Sequence, residues 1–153
     1  MIGALVKVDD PDVVAFLLQT EIIPMCLRIM ETGTELSRTV ATFILQKILL
    51  DDGGLAYICQ TADRFFAVSS VLGQMVKHME ENHVPRLLKH IIRCYLRLTE
   101  NPKAKEALRQ VLPASLQDST FVETLRPDRS AAQWLPLMLS KVFEDRSYPA
   151  GPV

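Results

Sequence analysis

The sequence contains little glycine, few aromatic residues and no excess of charge of either sign. With 6 glycines in 153 residues it is not a low-complexity or collagen-like chain, and with 7% aromatic residues its core must be mainly aliphatic. Lysine plus arginine number 17 against 18 for aspartate plus glutamate, so overall charge favours neither nucleic acid nor a membrane surface. Hydrophobic residues make up 48% of the chain, which excludes intrinsic disorder.

Cysteine is also scarce, and its three occurrences are far apart. Cys26, Cys59 and Cys94 are separated by 33 and 35 residues, and an odd count argues against a disulfide framework. Each lies in an apolar run, which predicts buried, unreactive thiols in a reducing compartment, the cytosol or the nucleus. No apolar run approaches the roughly 18 residues that a transmembrane helix needs, so no membrane partner is expected.

The two ends of the sequence differ from the rest. The sequence becomes apolar at Ile2 without a capping residue before it, which suggests the C-terminal part of a longer helical array. In such an array Leu5 and Val6 would also pack on a preceding repeat, so we expect this edge to favour self-association. The segment 147–153 contains proline and glycine and is predicted to be a disordered tail. Residues 1–146 then form one N-terminally shortened domain.

Capping residues and prolines divide the sequence into short, medium and long helices. The predicted helices span residues 11–19, 21–31, 34–50, 54–60, 61–81, 85–99, 102–112 and 128–143. The predicted N-caps are Asp10, Thr20, Thr34, Asp52, Thr61, Asn101 and Asp128. On the third helix, Leu36, Phe43 and Leu50 are expected to form the core stripe, with Val40 at its margin.

These helices form an internal repeat. Residues Ala15–Thr20 resemble Ala56–Thr61 at an offset of 41, and Arg38–Leu50 aligns with Arg86–Leu98 at an offset of 48. A period of about 40–47 residues with a short, a medium and a long helix is typical of armadillo and HEAT repeats. The sequence therefore predicts an all-α, armadillo-like helical-repeat solenoid of two full repeats plus partial ones. A non-repetitive helical bundle is the alternative.

No pattern of catalytic or metal-binding residues stands out. The sequence has no glycine-rich phosphate loop and no nucleophile motif, and its paired aspartates fall at helix starts, where they accept backbone N–H bonds. His78 and His83 are five residues apart, so they do not share a helix face and a metal site is not expected. Trp134, the only tryptophan, is expected to anchor the last helix. We predict no catalytic residue, no metal, no cofactor and no enzymatic activity.

A basic strip is the most distinctive charge pattern. Between Arg86 and Arg109 there are seven lysines and arginines but only two glutamates. Arg86, Lys89, Arg93 and Arg97 fall within about 80° of one another around a helix, which predicts a continuous stripe. The last helix of an armadillo repeat lines the concave groove, where such a stripe would attract an acidic peptide or a nucleic-acid backbone. An ordinary solvated face is the alternative.

Several longer stretches resemble one known family. They are similar to the Rcd-type cell differentiation family, and they fall within about residues 2–126. The matching stretches are residues 34–52, 54–61, 86–90, 93–98 and 106–110. The resemblance implies a non-enzymatic armadillo-repeat subunit of the eukaryotic Not-type mRNA deadenylase complex. It also implies that this sequence corresponds to the C-terminal part of the family's domain.

The same resemblance implies partners and binding positions. The partners would be the Not-type scaffold subunit and short tryptophan-containing or helical peptides of silencing and RNA-binding proteins. The cellular locations that it implies are the cytoplasm, including mRNA-processing bodies, and the nucleus. The positions that match the family's peptide-tryptophan pockets are Ala62, Arg64, Lys103 and Ala107, with Ala62 where animal members usually have tyrosine. The concave groove for helical peptides matches around Val40.

Two functions remain open at this point. The first is a peptide-binding adaptor that promotes mRNA decay and translational repression, which suits a solenoid without catalytic residues. The second is direct nucleic-acid binding through the basic strip between Arg86 and Arg109. Binding through phosphate contacts falls steeply with salt, whereas docking of an apolar helix or a tryptophan does not. A salt series therefore distinguishes the two functions.

Overall fold

The computed structural model describes residues 11–118 and 120–147, and in these ranges the regular structure is entirely helical. The helices are α1 (Pro11–Leu18), α2 (Ile22–Thr32), α3 (Glu35–Leu50), α4 (Asp52–Cys59), α5 (Ala62–Met79), α6 (Pro85–Leu98), α7 (Pro102–Val111), α8 (Val122–Leu125) and α9 (Arg129–Ser147), with a 3₁₀ turn at Ala114–Leu116. Across the described ranges, no helix is both long enough and apolar enough to cross a membrane.

Several sequence predictions concern residues outside these ranges. Ile2, Leu5 and Val6, on which the expected self-association depends, are not among the described residues, and neither is the predicted N-cap Asp10. Of the predicted tail 147–153, the described part is only the last residue of α9. These expectations stay predictions.

Side-chain caps fix where several helices begin. Thr34 Oγ1 and Thr61 Oγ1 accept backbone N–H hydrogen bonds at 3.1 and 3.2 Å, at the starts of α3 and α5. Asn101 caps α7, and Asp128 accepts a backbone hydrogen bond from Ala131 in the first turn of α9. Such bonds satisfy N–H groups that have no partner within their own helix. The N-caps predicted at these positions are confirmed.

Two other predicted N-caps are wrong. At the start of α4 the cap is Asp51 rather than Asp52, and Asp51 Oδ2 accepts a hydrogen bond from the backbone N–H of Gly54 at 3.0 Å. The start of α2 has no side-chain cap, because Thr20 Oγ1 donates instead to a carbonyl of the preceding turn. The N-cap position of α2 is Glu21, so both predicted caps are displaced by one residue, in junctions that contain adjacent polar residues.

The junction between α3 and α4 requires a glycine. A Cβ atom at Gly54 would overlap the backbone carbonyl of Ile48, near the end of α3. Because position 54 has no side chain, α4 starts after a single connecting residue, Asp51. This tight connection brings the start of α4 beside the end of α3.

Equivalent helices of successive repeats pack on one another. Helix α1 contacts α4, α2 contacts α5, α3 contacts α6, and α6 contacts α9. These four pairs each join a helix to its counterpart one repeat later, which is the packing pattern of a solenoid. The predicted all-α helical-repeat solenoid is confirmed. Helices α1–α3 and α4–α6 are the full repeats, and α7–α9 with the 3₁₀ turn follow them.

The core is aliphatic, as the low aromatic content predicts. Tyr95 and Phe121 are the two large aromatic side chains that are fully buried within the described ranges. The fully buried aliphatic residues include Leu45, Ile48, Leu49, Ile58, Leu72, Val76, Leu87, Leu88, Ile91 and Ile92. The three cysteines are free thiols, with Cys26 and Cys94 buried and Cys59 half-buried.

The core stripe predicted for α3 is wrong at Leu36 and Phe43, whereas Leu50 is half-buried. Leu36 is 73% exposed and Phe43 is 38% exposed. The side chains that α3 buries are instead Ala41, Thr42, Leu45, Ile48 and Leu49. Helix α3 packs against α2, α4 and α6, so its buried residues are those that face these neighbours. The apolar residues left over remain on the surface.

Arg97 of α6 links three helices through a buried guanidinium. Its side chain is only 10% exposed, and Nε donates to the Leu49 carbonyl at 2.6 Å. The terminal nitrogens pair with Asp52 at 2.7 Å and with Glu100 at 2.6 Å. The Leu49 carbonyl belongs to the last turn of α3, where no further turn supplies an N–H donor. Arg97 therefore provides a hydrogen-bond donor for a carbonyl at the end of α3 and, through its ion pair with Asp52, holds the start of α4.

We expect Arg97→Met to destabilise the fold. The change removes a charged donor from a buried carbonyl, a loss of about 1–3 kcal/mol in the free energy of unfolding. Chemical denaturation followed by circular dichroism measures it. A matched control is Arg126→Met, because Arg126 pairs with Glu123 in an exposed position where the loss should stay below about 1 kcal/mol. Equal losses in the two variants would contradict the assigned role of Arg97.

Candidate functional site

Two neighbouring cavities lie where α4, α5 and α7 meet. We name the first the Ala62 cavity; it has a volume of about 230 Å³ and is lined by Cys59, Gln60, Thr61, Ala62, Phe65, Phe66, Lys103, Ala104 and Ala107. The second, the Tyr57 cavity, has a volume of about 690 Å³ and is lined by Gly53, Ala56, Tyr57, Cys59, Gln60, Asn101, Pro102 and Lys103. They share Cys59, Gln60 and Lys103 as a common wall.

The local sequence explains why the cavities form there. The cap at Thr61 starts α5 directly after α4, and the cap at Asn101 starts α7 at Pro102. The two helix starts lie beside each other, because Thr61 and Ala62 of one and Lys103 and Ala104 of the other line the same cavity. The small side chains of Ala62 and Ala107 leave room between α5 and α7.

The structure brings together three of the four residues predicted for the tryptophan pockets. Ala62, Lys103 and Ala107 all line the Ala62 cavity. Arg64 is placed differently. Its guanidinium lies 3.8 Å from the ring centroid of Tyr57, and it donates to the Tyr57 carbonyl at 2.7 Å. Arg64 therefore acts on the neighbouring cavity, by holding the Tyr57 ring.

Sequence reasoning missed an aromatic wall. Phe66 is 47% exposed and lines the Ala62 cavity, where its ring contacts Phe65 edge-on with centroids 5.4 Å apart. The signal was present, since Phe66 follows Ala62 by four residues and residues four apart share a helix face. Although Ala62 supplies no aromatic surface, the cavity still has one.

Cys59 lies in the common wall of the two cavities. It is half-buried, and burial raises the pKa of its thiol to about 11. Burial also raises the pKa of Cys26 to about 11 and that of Cys94 still further. The thiols are therefore poor nucleophiles near neutral pH, and Cys59 is the one that borders the cavities.

A second surface is formed by the third helices of the repeats, α3, α6 and α9. On α3 this third-helix face carries Leu36, Val40 and Phe43, and Val40 is 49% exposed. Lys47 Nζ lies 5.5 Å from the Phe43 ring centroid. The Phe43 ring also contacts the His90 ring of α6, with centroids 5.2 Å apart. The row on α3 therefore meets the half-buried His90 imidazole of the next repeat.

Cations surround a tryptophan at the other end of this face. Lys89 Nζ and the Arg93 guanidinium lie 5.5 and 5.4 Å from the Trp134 ring centroid. Lys89 also pairs with Asp128 at 2.9 Å. The Ala131 backbone N–H and Lys89, which both donate to Asp128, lower the pKa of that carboxyl. Burial, with Lys89 and Arg86 nearby, lowers the pKa of the His90 imidazole.

The predicted continuous basic stripe is wrong at Arg97, and of the other three cations only Arg86 is exposed. Arg97 is buried by its contacts with α3 and α4. Lys89 and Arg93 are half-buried against α9, and Arg86 is exposed. The four cations would share one side of an isolated helix, but in the protein one is exposed, two are half-buried and one is buried. The cause is that α6 has α3 on one side and α9 on the other.

The described residues hold no group of three or more histidine, cysteine, aspartate or glutamate side chains placed to bind a metal ion. His83, one of the two histidines considered for metal binding, contacts the Thr124 hydroxyl instead.

Comparison with known proteins decides the family. The model of the Cell differentiation family, Rcd1-like, matches residues 1–142. The chain belongs to this family. The Rcd-type resemblance inferred from the sequence is therefore confirmed.

Two relatives show how far the match of this Rcd1-like chain extends. It is 59% identical over 139 residues to "Cell differentiation protein rcd1" of Schizosaccharomyces pombe, a match that covers 91% of this chain and 49% of the relative. It is 57% identical over 148 residues to "Protein CAF40" of Saccharomyces cerevisiae, which covers 96% of this chain and 40% of the relative. The chain spans less than half the length of either relative.

We expect Cys59 to be the thiol that reports on the cavities of this Rcd1-like chain. Iodoacetamide should label it before Cys26 and Cys94, because those two are buried in the core. A thiol with a pKa near 11 should react about tenfold faster for each unit of pH between about 8 and 10, since only the thiolate reacts. Mass spectrometry of the digested protein measures the order in which the three cysteines are labelled. Equal labelling of all three thiols in the folded protein would contradict the structure.

Proposed function

We propose that this Rcd1-like chain is a non-enzymatic adaptor of the Not-type mRNA deadenylase complex. It would bind short peptide segments of silencing and RNA-binding proteins and so promote mRNA decay and translational repression. The observation that carries this proposal is the pair of adjoining cavities, the Ala62 and Tyr57 cavities, which share a wall and include three of the four positions expected for tryptophan capture.

The Ala62 cavity has the features that suit an indole. The affinity of a pocket for tryptophan increases most with flat aromatic or apolar walls and with a cation near the ring. Phe66 supplies an exposed aromatic wall, and Phe65 forms the buried side behind it. Lys103 is exposed at the rim and can place its ammonium group near the ring. Ala62 and Ala107 leave space for the bicyclic ring.

The third-helix face suits a different ligand, an amphipathic peptide helix. Leu36, Val40 and Phe43 are spaced at i, i+4 and i+7, so they form one apolar row along α3. A helix that docks by its apolar face needs a row of this kind. Lys47, whose ammonium group lies near the Phe43 ring, borders the row and would favour an acidic residue at the edge of the peptide.

The remaining parts of the proposal follow from the family. The Not-type scaffold subunit is the proposed constant partner, and the proposed places of action are the cytoplasm, mRNA-processing bodies and the nucleus. Nucleic-acid binding through the basic strip has weaker support, because Arg97 is buried and Lys89 is paired with Asp128. If nucleic acid were the ligand, affinity would fall steeply with salt.

We expect Phe66→Ala to weaken binding of a Gly-Trp-repeat peptide about two- to tenfold, because an aromatic contact contributes about 0.5–1.5 kcal/mol. Ala62→Tyr should strengthen binding by a similar factor, since it adds a second wall to the same cavity. Isothermal titration measures both. The matched control is Phe16→Ala, which removes an exposed phenylalanine of α1 that lines neither cavity.

Each outcome of this titration has a defined meaning. Unchanged affinity for Phe66→Ala, or an equal loss for Phe16→Ala, would contradict the assignment of the Ala62 cavity. No binding by the wild-type protein would show that it does not capture tryptophan by itself, and would contradict the proposal for these cavities.

We expect Val40→Glu to leave the fold intact and to abolish binding of an amphipathic helical peptide. Val40 is half-exposed, so the melting temperature should change little. When a peptide covers the new carboxylate, the charge must lose water, which should reduce affinity at least tenfold. Fluorescence anisotropy of a labelled peptide measures binding.

Val111→Glu supplies the matched control, because Val111 is also an exposed valine but lies on α7. It should bind the helical peptide like the wild type. Unfolding of Val40→Glu would place Val40 in the core, and equal effects of the two variants would show that the third-helix face is not the binding surface.

A further inference from the structure

The wall that the two adjoining cavities share carries an exposed cation, Lys103. Within the part of the chain that the structure describes, Lys103 forms no ion pair. Glu100, three residues before it, pairs with Arg97 at 2.6 Å. Glu106, three residues after it, pairs with Arg109 at 2.7 Å. The carboxylates nearest to Lys103 in the sequence are therefore engaged elsewhere, and its charge is open to a ligand.

Gln60, in the same wall, is oriented to donate a hydrogen bond to a ligand. Its side-chain oxygen accepts a hydrogen bond from Arg64 Nη1 at 3.3 Å. Arg64 is itself held by its bond to the Tyr57 carbonyl and by its contact with the Tyr57 ring. Because Gln60 is exposed, its NH₂ group, which has two donor hydrogens, can reach a ligand. The shared wall thus offers donors from two side chains.

The surroundings of this wall are positive rather than negative. None of the described residues that line either cavity is acidic. Asn101 and Pro102 line the Tyr57 cavity at the start of α7, and the first turn of that helix contains no acidic residue. The N-terminal end of a helix favours a nearby anion. Asp63, in the first turn of α5, is exposed but lines neither cavity.

A peptide that fills both cavities has to cross the shared wall. The residues between its two anchoring side chains would then lie over Gln60 and Lys103. A carboxylate at that place would accept charge-assisted hydrogen bonds, whereas a basic residue would be repelled by Lys103. An ammonium group has three donor hydrogens, so Lys103 can pair with a carboxylate and still lie near an indole ring in the Ala62 cavity.

We propose that the shared wall selects peptides that carry an acidic residue between the two side chains that enter the cavities. Lys103 is the specificity-determining residue, and Gln60 donates to the second carboxylate oxygen. This inference rests on the proposed capture of peptides by the two cavities and adds the charge of the partner to it. Because the ion pair is exposed, the preference for glutamate over glutamine should be about two- to fivefold in affinity.

Isothermal titration with matched peptides tests this preference. Each peptide has two tryptophans joined by a glycine-serine spacer, and the central spacer residue is glutamate, glutamine or lysine. The spacer length is the one at which the glutamine peptide binds most tightly. We expect affinity to fall in the order glutamate, glutamine, lysine. The preference for glutamate should shrink as sodium chloride is added, because salt screens exposed charges, while the affinity of the glutamine peptide should change little.

A variant of Lys103 makes the result specific. In Lys103→Met the glutamate and glutamine peptides should bind equally, even if both bind more weakly than to the wild type. The ratio of the two affinities isolates the charge interaction, because contacts common to both peptides cancel. The matched control is Lys77→Met, which removes an exposed lysine from the last turn of α5 that lines neither cavity. This control should keep the preference of the wild type.

The glutamine peptide separates failure of this inference from failure of the proposed function. If it binds but glutamate confers no advantage, or if Lys103→Met keeps the advantage, the selection of an acidic residue by Lys103 is wrong and peptide capture stands. If none of the three peptides binds to the wild type, both are wrong.

Discussion

The side-by-side packing of α3, α6 and α9 decides which side chains this protein can present. Each of these helices must bury residues toward the neighbours it touches, and α6 has one on either side. That constraint places Arg97 in the interior and leaves Leu36, Val40 and Phe43 on the surface. The same packing places Trp134 of α9 against Lys89 and Arg93 of α6.

Much of the fold could be predicted because its signals are local. Caps such as Thr34 and Thr61 act within one helical turn, and the offset between repeats is visible in the sequence itself. The orientation of α3 and the burial of Arg97 could not be predicted in the same way. Arg97 meets Leu49 and Asp52 across 48 and 45 residues, so its environment is set by tertiary packing.

The residues of the candidate site also differ in whether the sequence could predict their positions. Ala62, Lys103 and Ala107 came from the family resemblance, and the structure places all three in one cavity. Phe66 could have been found from its four-residue spacing to Ala62, because both lie on one face of α5. The redirection of Arg64 toward Tyr57 had no such signal, since it depends on how α4 packs against α5.

The common wall of the Ala62 and Tyr57 cavities has a consequence for affinity. Because the cavities share Cys59, Gln60 and Lys103, the entrances lie within a short length of extended polypeptide. A ligand with two suitable side chains a few residues apart would bind its second side chain intramolecularly, at an effective concentration in the millimolar range. Two weak contacts would then give a tight complex. The spacing of the two side chains along the peptide would determine which peptides bind tightly.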